Sequence, residues 1–173
     1  MRKPGKAPPF HAADPPAPLK RPGDGYRGED GHIGYLLRQA QMALRGALEQ
    51  ALADLGTTVP QFSVLTVIQA EGTISGADLA RLSMMTAQSV GGIVQNLQRA
   101  GLVARTADPA HGRIIRIALT AKGERMVAAC RARVAGIEAE MVRGLSPAAE
   151  RTVRAWLVDC ARRFDIVGRE RAL

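Results

Sequence analysis

The chain has 173 residues, 24 basic against 16 acidic side chains for a net charge of +8, 46% apolar residues and only 3% aromatics. This length suits one domain with tails, and two cysteines exclude a disulfide scaffold. No run approaches the ~18 apolar residues of a membrane span, and so few aromatics favour a core of Ala, Leu, Val and Ile in helices.

Residues 1–30 hold seven of the ten prolines and read as a Pro/Gly-rich disordered arm. The arm is either a solvated tail or a source of weak DNA or dimer contacts. It starts basic but lacks an apolar h-region, so it is not a secretory signal. From Gly31 the period turns helical: Ile33, Leu36, Leu37, Ala40, Leu44, Ala47, Leu48, Ala51, Leu52 and Leu55 form one broad stripe, with Gly56 as the stop. Thr58 and Pro60 start a short helix carrying Phe62, Val64, Leu65, Val67 and Ile68, which ends near Gly72. Ser75 with Asp78 resembles a capping box for another, carrying Leu79, Ala80 and Leu82. Thr86 caps a third, with Val90, Ile93, Val94 and Leu97 inward and Gly101 closing it.

Residues 102–107 and 113–119 have strand patterning around the turn-forming Asp108-Pro109-Ala110-His111-Gly112. The alternation predicts Ile115, Ile117 and Leu119 on the buried face. Thr120 then caps a long helix whose stripe is Met126, Cys130, Val134, Ile137, Met141 and Leu145. Ser146-Pro147 opens the last helix, with Val153, Trp156, Leu157, Cys160, Ala161 and Phe164. Both cysteines sit on apolar stripes and are expected to be inert, buried thiols.

No catalytic constellation is present: the three histidines are scattered, and no HExxH, GxSxG, P-loop or CxxC occurs. No enzyme, metal site or cofactor is expected. The positive charge points to nucleic acid, yet 1–30, 58–118, 119–145 and 146–173 each carry +2, so folding must assemble any basic surface. A sharper signal lies in 75–101, two short helices joined by a tight turn. The outward face of the second is small and polar: Thr86, Gln88, Ser89, Gly92, Gln95, Asn96 and Arg99. A solvated face would typically carry Glu and Lys, and this one has neither. Small residues admit the backbone to a major groove, and amides and hydroxyls pair with base edges. Gly91 and Gly92 each cost about 1 kcal/mol in a helix, so either a neighbouring helix packs closely there or DNA does. Arg113, beside the hairpin tip with His111 nearby, suits phosphate or a narrow minor groove. Arg105 and Arg116 either join it, or face solvent or pair with Asp108.

These pieces resemble the MarR family of regulators. The matching motifs are Thr58-x-Pro60-Gln61-Phe62-x-Val64-Leu65; Asp78-Leu79-Ala80; Val90-x-x-Ile93-Val94-x-x-Leu97-x-x-Ala100-Gly101-Leu102-Val103-x-Arg105; Asp108-Pro109 through Arg113; and Leu119-Thr120-x-Lys122-Gly123. The resemblance implies a mainly α, winged helix-turn-helix fold with six helices and one β-hairpin wing. It implies a domain over 31–165, with the DNA-binding part at about 58–119, dimerisation helices at about 31–55 and 120–165, and a tail at 166–173. It places the recognition helix at about 86–100 and the wing at about 103–118. Asp108 and Arg113 match the outer positions of the family's wing signature, whereas Ala110 replaces its middle arginine and Gly112 a common basic residue.

By the same resemblance the protein is a sequence-specific transcriptional regulator in the bacterial cytoplasm, associated with the nucleoid. It is a homodimeric repressor on a pseudo-palindromic operator, released by a small aromatic or lipophilic effector, with no membrane partner. Tyr35, Arg38, Gln39, Met42, Phe62 and Met84 are candidates to line the effector cleft. Oxidant-sensing members carry a cysteine near the start of the first long helix, where this chain reads His32-Ile33-Gly34-Tyr35-Leu36-Leu37. A ligand switch therefore stands ahead of a cysteine-based redox switch. The alternative class is a winged-helix protein-interaction module with weak DNA binding, motivated by Ala110 and Gly112.

Overall fold

Short polar capping signals cut the chain into helices, and the computed structural model shows where each signal acts. It describes Asp24 and residues 27–107 and 115–164. In order these form α1 (Ile33–Ala53), α2 (Val59–Glu71), β1 (Thr73–Ser75), α3 (Gly76–Leu82), α4 (Ala87–Arg99), β2 (Val103–Ala107), β3 (Ile115–Leu119), α5 (Ala121–Met141) and α6 (Pro147–Arg163). The chain divides into two units, residues 1–43 and 44–173. The described part of the first unit is the start of α1 and the turn before it. There the Arg27 guanidinium donates to the Gln39 side-chain oxygen at 3.0 Å, and the Gln39 amide donates back to the Arg27 carbonyl at 3.3 Å.

The second unit holds the remaining elements. At the start of α2, the Gln61 backbone N–H donates to the Thr58 hydroxyl, and the Thr58 N–H donates to the Gln61 side chain at 3.0 Å. This reciprocal pair satisfies two otherwise orphaned donors. Ser75, Thr86, Thr120 and Ser146 each accept from the backbone N–H three residues on. Such caps are worth about 1 kcal/mol apiece, so the boundaries are written locally.

The core gathers Val64, Leu65 and Ile68 of α2, Leu79 of α3, Val90, Val94 and Leu97 of α4, Ile117 of β3 and Val127 of α5. Full burial of each such side chain contributes about 1.5–3 kcal/mol. A second cluster joins Leu52, Cys130 and Val134, with Phe62 packed against it.

Four features extend or correct the expectations. First, the hairpin is part of a three-stranded antiparallel sheet of order β1-β3-β2, in which Ile74 pairs with Ile117. Three residues between two helix signals are too few to show a strand period; pairing with β3 creates β1. Second, Ile115 is 37% exposed while Ile117 is buried, because β3 emerges from the core at its outer end. Third, the long apolar stripes are only partly buried within one chain, Cys130 and Val134 of α5 being the inner part. Leu52 is the single buried residue of α1, α6 has none, and Met141 and Leu145 are exposed. Fourth, Cys130 is buried as expected, but Cys160 is only half-buried. Residues 108–114, the tail at 166–173 and, apart from Asp24 and residues 27–30, the arm at 1–30 lie outside the described residues.

The turn between α3 and α4 carries backbone strain. Met84 has φ of +53° and a side chain 92% exposed. The left-handed region costs a residue with a Cβ roughly 1–2 kcal/mol, and Met84 recovers nothing by packing. Met84→Gly is expected to raise stability by up to about 1 kcal/mol, read as a higher denaturant midpoint with unchanged m. A lower midpoint would show that the backbone entropy glycine adds to the unfolded chain outweighs the strain relieved.

Candidate nucleic-acid interface

The interface is built on α3, the turn and α4. Ser75 opens α3, and its hydroxyl donates to the Asp78 carboxylate at 2.8 Å. That bond, followed by the hydrogen bond from Arg81, holds the Asp78 carboxyl below its ordinary pKa. The chain then reverses through Ser83-Met84-Met85. The Met84 N–H donates to the Arg81 carbonyl at 3.2 Å, the Met85 N–H to the Ala80 carbonyl at 3.0 Å, and Met85 tucks against the core.

α4 has two faces of different chemistry. Val90, Val94 and Leu97 are buried and fix the helix to α2 and the sheet. Thr86, Gln88, Ser89, Gly92, Gln95, Asn96 and Arg99 are all exposed, so the structure brings these expected residues onto one surface. Two hydroxyls are already occupied, since Thr86 and Ser89 share a hydrogen bond at 2.8 Å and Thr86 also caps the helix. The Arg99 guanidinium donates to the Asn96 side-chain oxygen, which leaves the Asn96 amide group as donor.

Gly91 and Gly92 narrow the choice left open by the sequence. A Cβ added at either would meet no atom within 4 Å. Close packing by a neighbouring helix of this chain is therefore not their reason, and the backbone there stands open to an approaching surface. Gly91 also lines a groove of about 290 Å³ with Gly76, Ala87, Val90, Val94, Gln95, Arg105 and Ile117. Arg105 pairs with Ile117 across the sheet, so both side chains lie on the face turned to α4. The sequence left Arg105 undecided; only the strand register could place it. His111 and Arg113, expected at the wing tip, lie outside the described residues, as do Asp108, Ala110 and Gly112, on which the interaction-module reading rested.

The six effector candidates divide between the units. Tyr35, Arg38 and Met42 are exposed on the first unit, and Gln39 there is engaged with Arg27. Phe62 packs into the Leu52 cluster of the second unit, while Met84 stands in solvent at the turn, so these two do not converge. A groove of about 480 Å³ at the corner of α1 and α2 is lined by Arg45, Glu49, Ala53, Gly56, Thr57, Thr58 and Pro60, none of them a candidate. Burial pushes the Cys130 thiol above its ordinary pKa, with a hydrogen bond to Thr57 partly opposing. A thiol so held is a poor nucleophile at neutral pH. Among the described residues no group of three or more His, Cys, Asp or Glu could hold a metal, and no helix is long and apolar enough to cross a membrane.

A helix-turn-helix backed by an antiparallel sheet, with a polar, glycine-relieved face on its second helix, defines a winged helix-turn-helix DNA-binding protein. Residues 55–114 match the sequence profile of the MarR family. The chain is 32% identical over 129 residues to the HTH-type transcriptional repressor Rv2887 of Mycobacterium tuberculosis, covering 75% of this chain and 93% of that one. The structure of CouR from Rhodococcus jostii RHA1 bound to p-coumaroyl-CoA superposes with a TM-score of 0.71 at 27% identity, covering 80% of this chain and 95% of that chain. Bordetella bronchiseptica BpsR, whose DNA binding is regulated by 6-hydroxynicotinic acid, gives 0.68 at 26% identity, over 75% of this chain and 98% of that chain. The chain belongs to the MarR family. It is a DNA-binding transcriptional regulator and not an enzyme.

Proposed function

We propose that the protein is a homodimeric repressor that sets one α4 into each half of a pseudo-palindromic operator and is released by a small aromatic or lipophilic compound. The exposed face of α4 carries this reading. Gln88 and Gln95 offer paired donors and acceptors to base edges, Asn96 offers its amide donor, and Gly91 and Gly92 let the backbone come close. We assign the same role of DNA contact to Thr86, Ser89, Arg99, His111 and Arg113. Dimerisation is supported by the apolar side chains that one chain leaves uncovered, above all on α6.

Repression is supported by the relative's name, and effector control by CouR and BpsR, which meet aromatic ligands. Tyr35, Arg38, Gln39, Met42 and Phe62 are our candidates for the effector cleft; Met84 is the weakest of the six, standing almost wholly in solvent. An effector works here by preferring a dimer whose two α4 helices are wrongly spaced; equal affinity for both forms shifts nothing. The buried, pKa-raised Cys130 favours this over a thiol switch.

The test is duplex affinity against salt, on genomic fragments selected by the protein. Log affinity is expected to fall steeply with log salt, with a slope reporting several phosphates per dimer. A flat line, or no bound fragment, overturns the reading. Gln88→Ala should relax base preference at one position per half-site, with about 1–3 kcal/mol at stake. Arg113→Ala should weaken all duplexes alike; a changed base preference would reassign that residue.

A further inference from the structure

The motif Leu119-Thr120-x-Lys122-Gly123 has no role in the surface just described, yet it meets α4 directly. A helix ends with carbonyls that lack intrahelical partners. From the C-cap of α4 into the turn that follows, three successive carbonyls are taken up by Thr120, the cap of α5, and by Lys122. The Lys122 ammonium donates to the Ala100 carbonyl at 2.8 Å. The Thr120 hydroxyl donates to the Gly101 carbonyl at 2.7 Å, and the Thr120 N–H donates to the Leu102 carbonyl at 3.0 Å. Behind them Gly123 approaches so closely that a Cβ there would lie 2.0 Å from the Leu102 oxygen. Gly101 makes the junction possible with φ of +72°, a conformation that turns its carbonyl toward Thr120.

We propose that Lys122 is a positioning residue for DNA recognition: it locks the carboxyl end of α4 to the start of α5, so that the two helices move as one body. This rests on the proposed function and adds how a displacement of α5 reaches the DNA-facing helix. Lys122 is the one lysine after residue 20, among a chain whose other cations there are all arginines. A compact ammonium on a flexible stem reaches a single carbonyl and also complements the negative end of the α4 dipole. The carbonyl bond directs the ammonium back to the protein, so the residue acts through α4 and not through phosphate.

Two readouts on the full chain test this. Duplex affinity is measured over a salt series for the natural protein, Lys122→Met and Lys122→Arg. Amide hydrogen exchange is followed at Gly101 and Leu102, whose N–H groups donate to the Gln98 and Leu97 carbonyls. Lys122→Met is expected to weaken binding about three- to tenfold at every salt concentration, leaving the slope unchanged, and to speed exchange at Gly101 and Leu102 but not at Val64–Ile68. Lys122→Arg keeps the charge but not the compact ammonium and is expected to restore both only in part. A slope flatter by about one contact per subunit would show that Lys122 meets phosphate directly and overturn the proposal. Unchanged affinity and exchange would overturn it equally. Failure of the natural protein to bind any duplex would instead overturn the proposed function, and the exchange measurement would still decide the clamp.

Discussion

Gly123→Ala should destabilise the chain by about 2–3 kcal/mol, at the upper end of what overpacking costs. The added methyl would sit 2.0 Å from the Leu102 carbonyl oxygen, 3.1 Å from its carbon and 3.3 Å from the Leu119 side chain. Two of these three atoms are backbone in the turn between α4 and β2, so no side-chain rotation relieves the clash. Either α5 withdraws, breaking the bonds from Thr120 and Lys122, or the turn shifts and carries the end of α4 with it. At fixed protein concentration Tm should fall by roughly 4–12 °C. Gly136, on the same helix with open space around its Cβ, is the control. Gly136→Ala should be neutral or gain up to about 1 kcal/mol from helix propensity. Equal effects at both positions would mean that propensity alone, not the contact with Leu102, governs Gly123.

Removing α6 by truncation after residue 145 should leave the folded core and abolish the dimer. α6 contributes no residue to either core cluster, so its loss takes nothing from the packing of α2, α4 and the sheet. What it removes is the apolar row of Val153, Trp156, Leu157 and Phe164, spaced to lie along one side of the helix and all exposed in one chain. Sedimentation should report a monomer that keeps its helical circular dichroism. Duplex affinity should drop about 10²–10⁴-fold, because the second α4 no longer binds as part of the same molecule. A stable dimer from residues 1–145 would place the interface elsewhere. Trp156→Ala in the full chain gives a milder version of the same test without changing chain length.

Helix boundaries were legible because their signals are local. Thr58, Ser75, Thr86, Thr120 and Ser146 act within three residues of sequence and cap their helices as read, while the reciprocal box forms at Thr58 with Gln61 and not at Ser75 with Asp78. The inward face of α4 was legible for a similar reason, since Val90, Val94 and Leu97 mark it by spacing alone. The polar face opposite followed by exclusion, and its lack of Lys and Glu singled it out. The stripes of α1, α5 and α6 were equally visible, but periodicity reports only that a face is apolar. It does not say whether the cover belongs to the same chain, and nearly all of the α6 row stands uncovered here.

The sequence by itself determined the order of the helices, the polar surface of α4 and the family, through caps, spacing and motifs that need no distant partner. Tertiary structure decided what depends on two remote segments meeting. β1 exists because Thr73–Ser75 pairs with β3, and Arg105 faces α4 because of its register with Ile117. The open backbone at Gly91 and Gly92 and the crowded one at Gly123 are the same residue type with opposite surroundings. Glycine in a helix signals only that a side chain is missing; whether the space is left for another molecule or filled by Leu102 is fixed by how α4 and α5 pack. Lys122 shows the same division, a matched motif position whose contact, 2.8 Å from the Ala100 carbonyl at the end of α4, only the fold reveals.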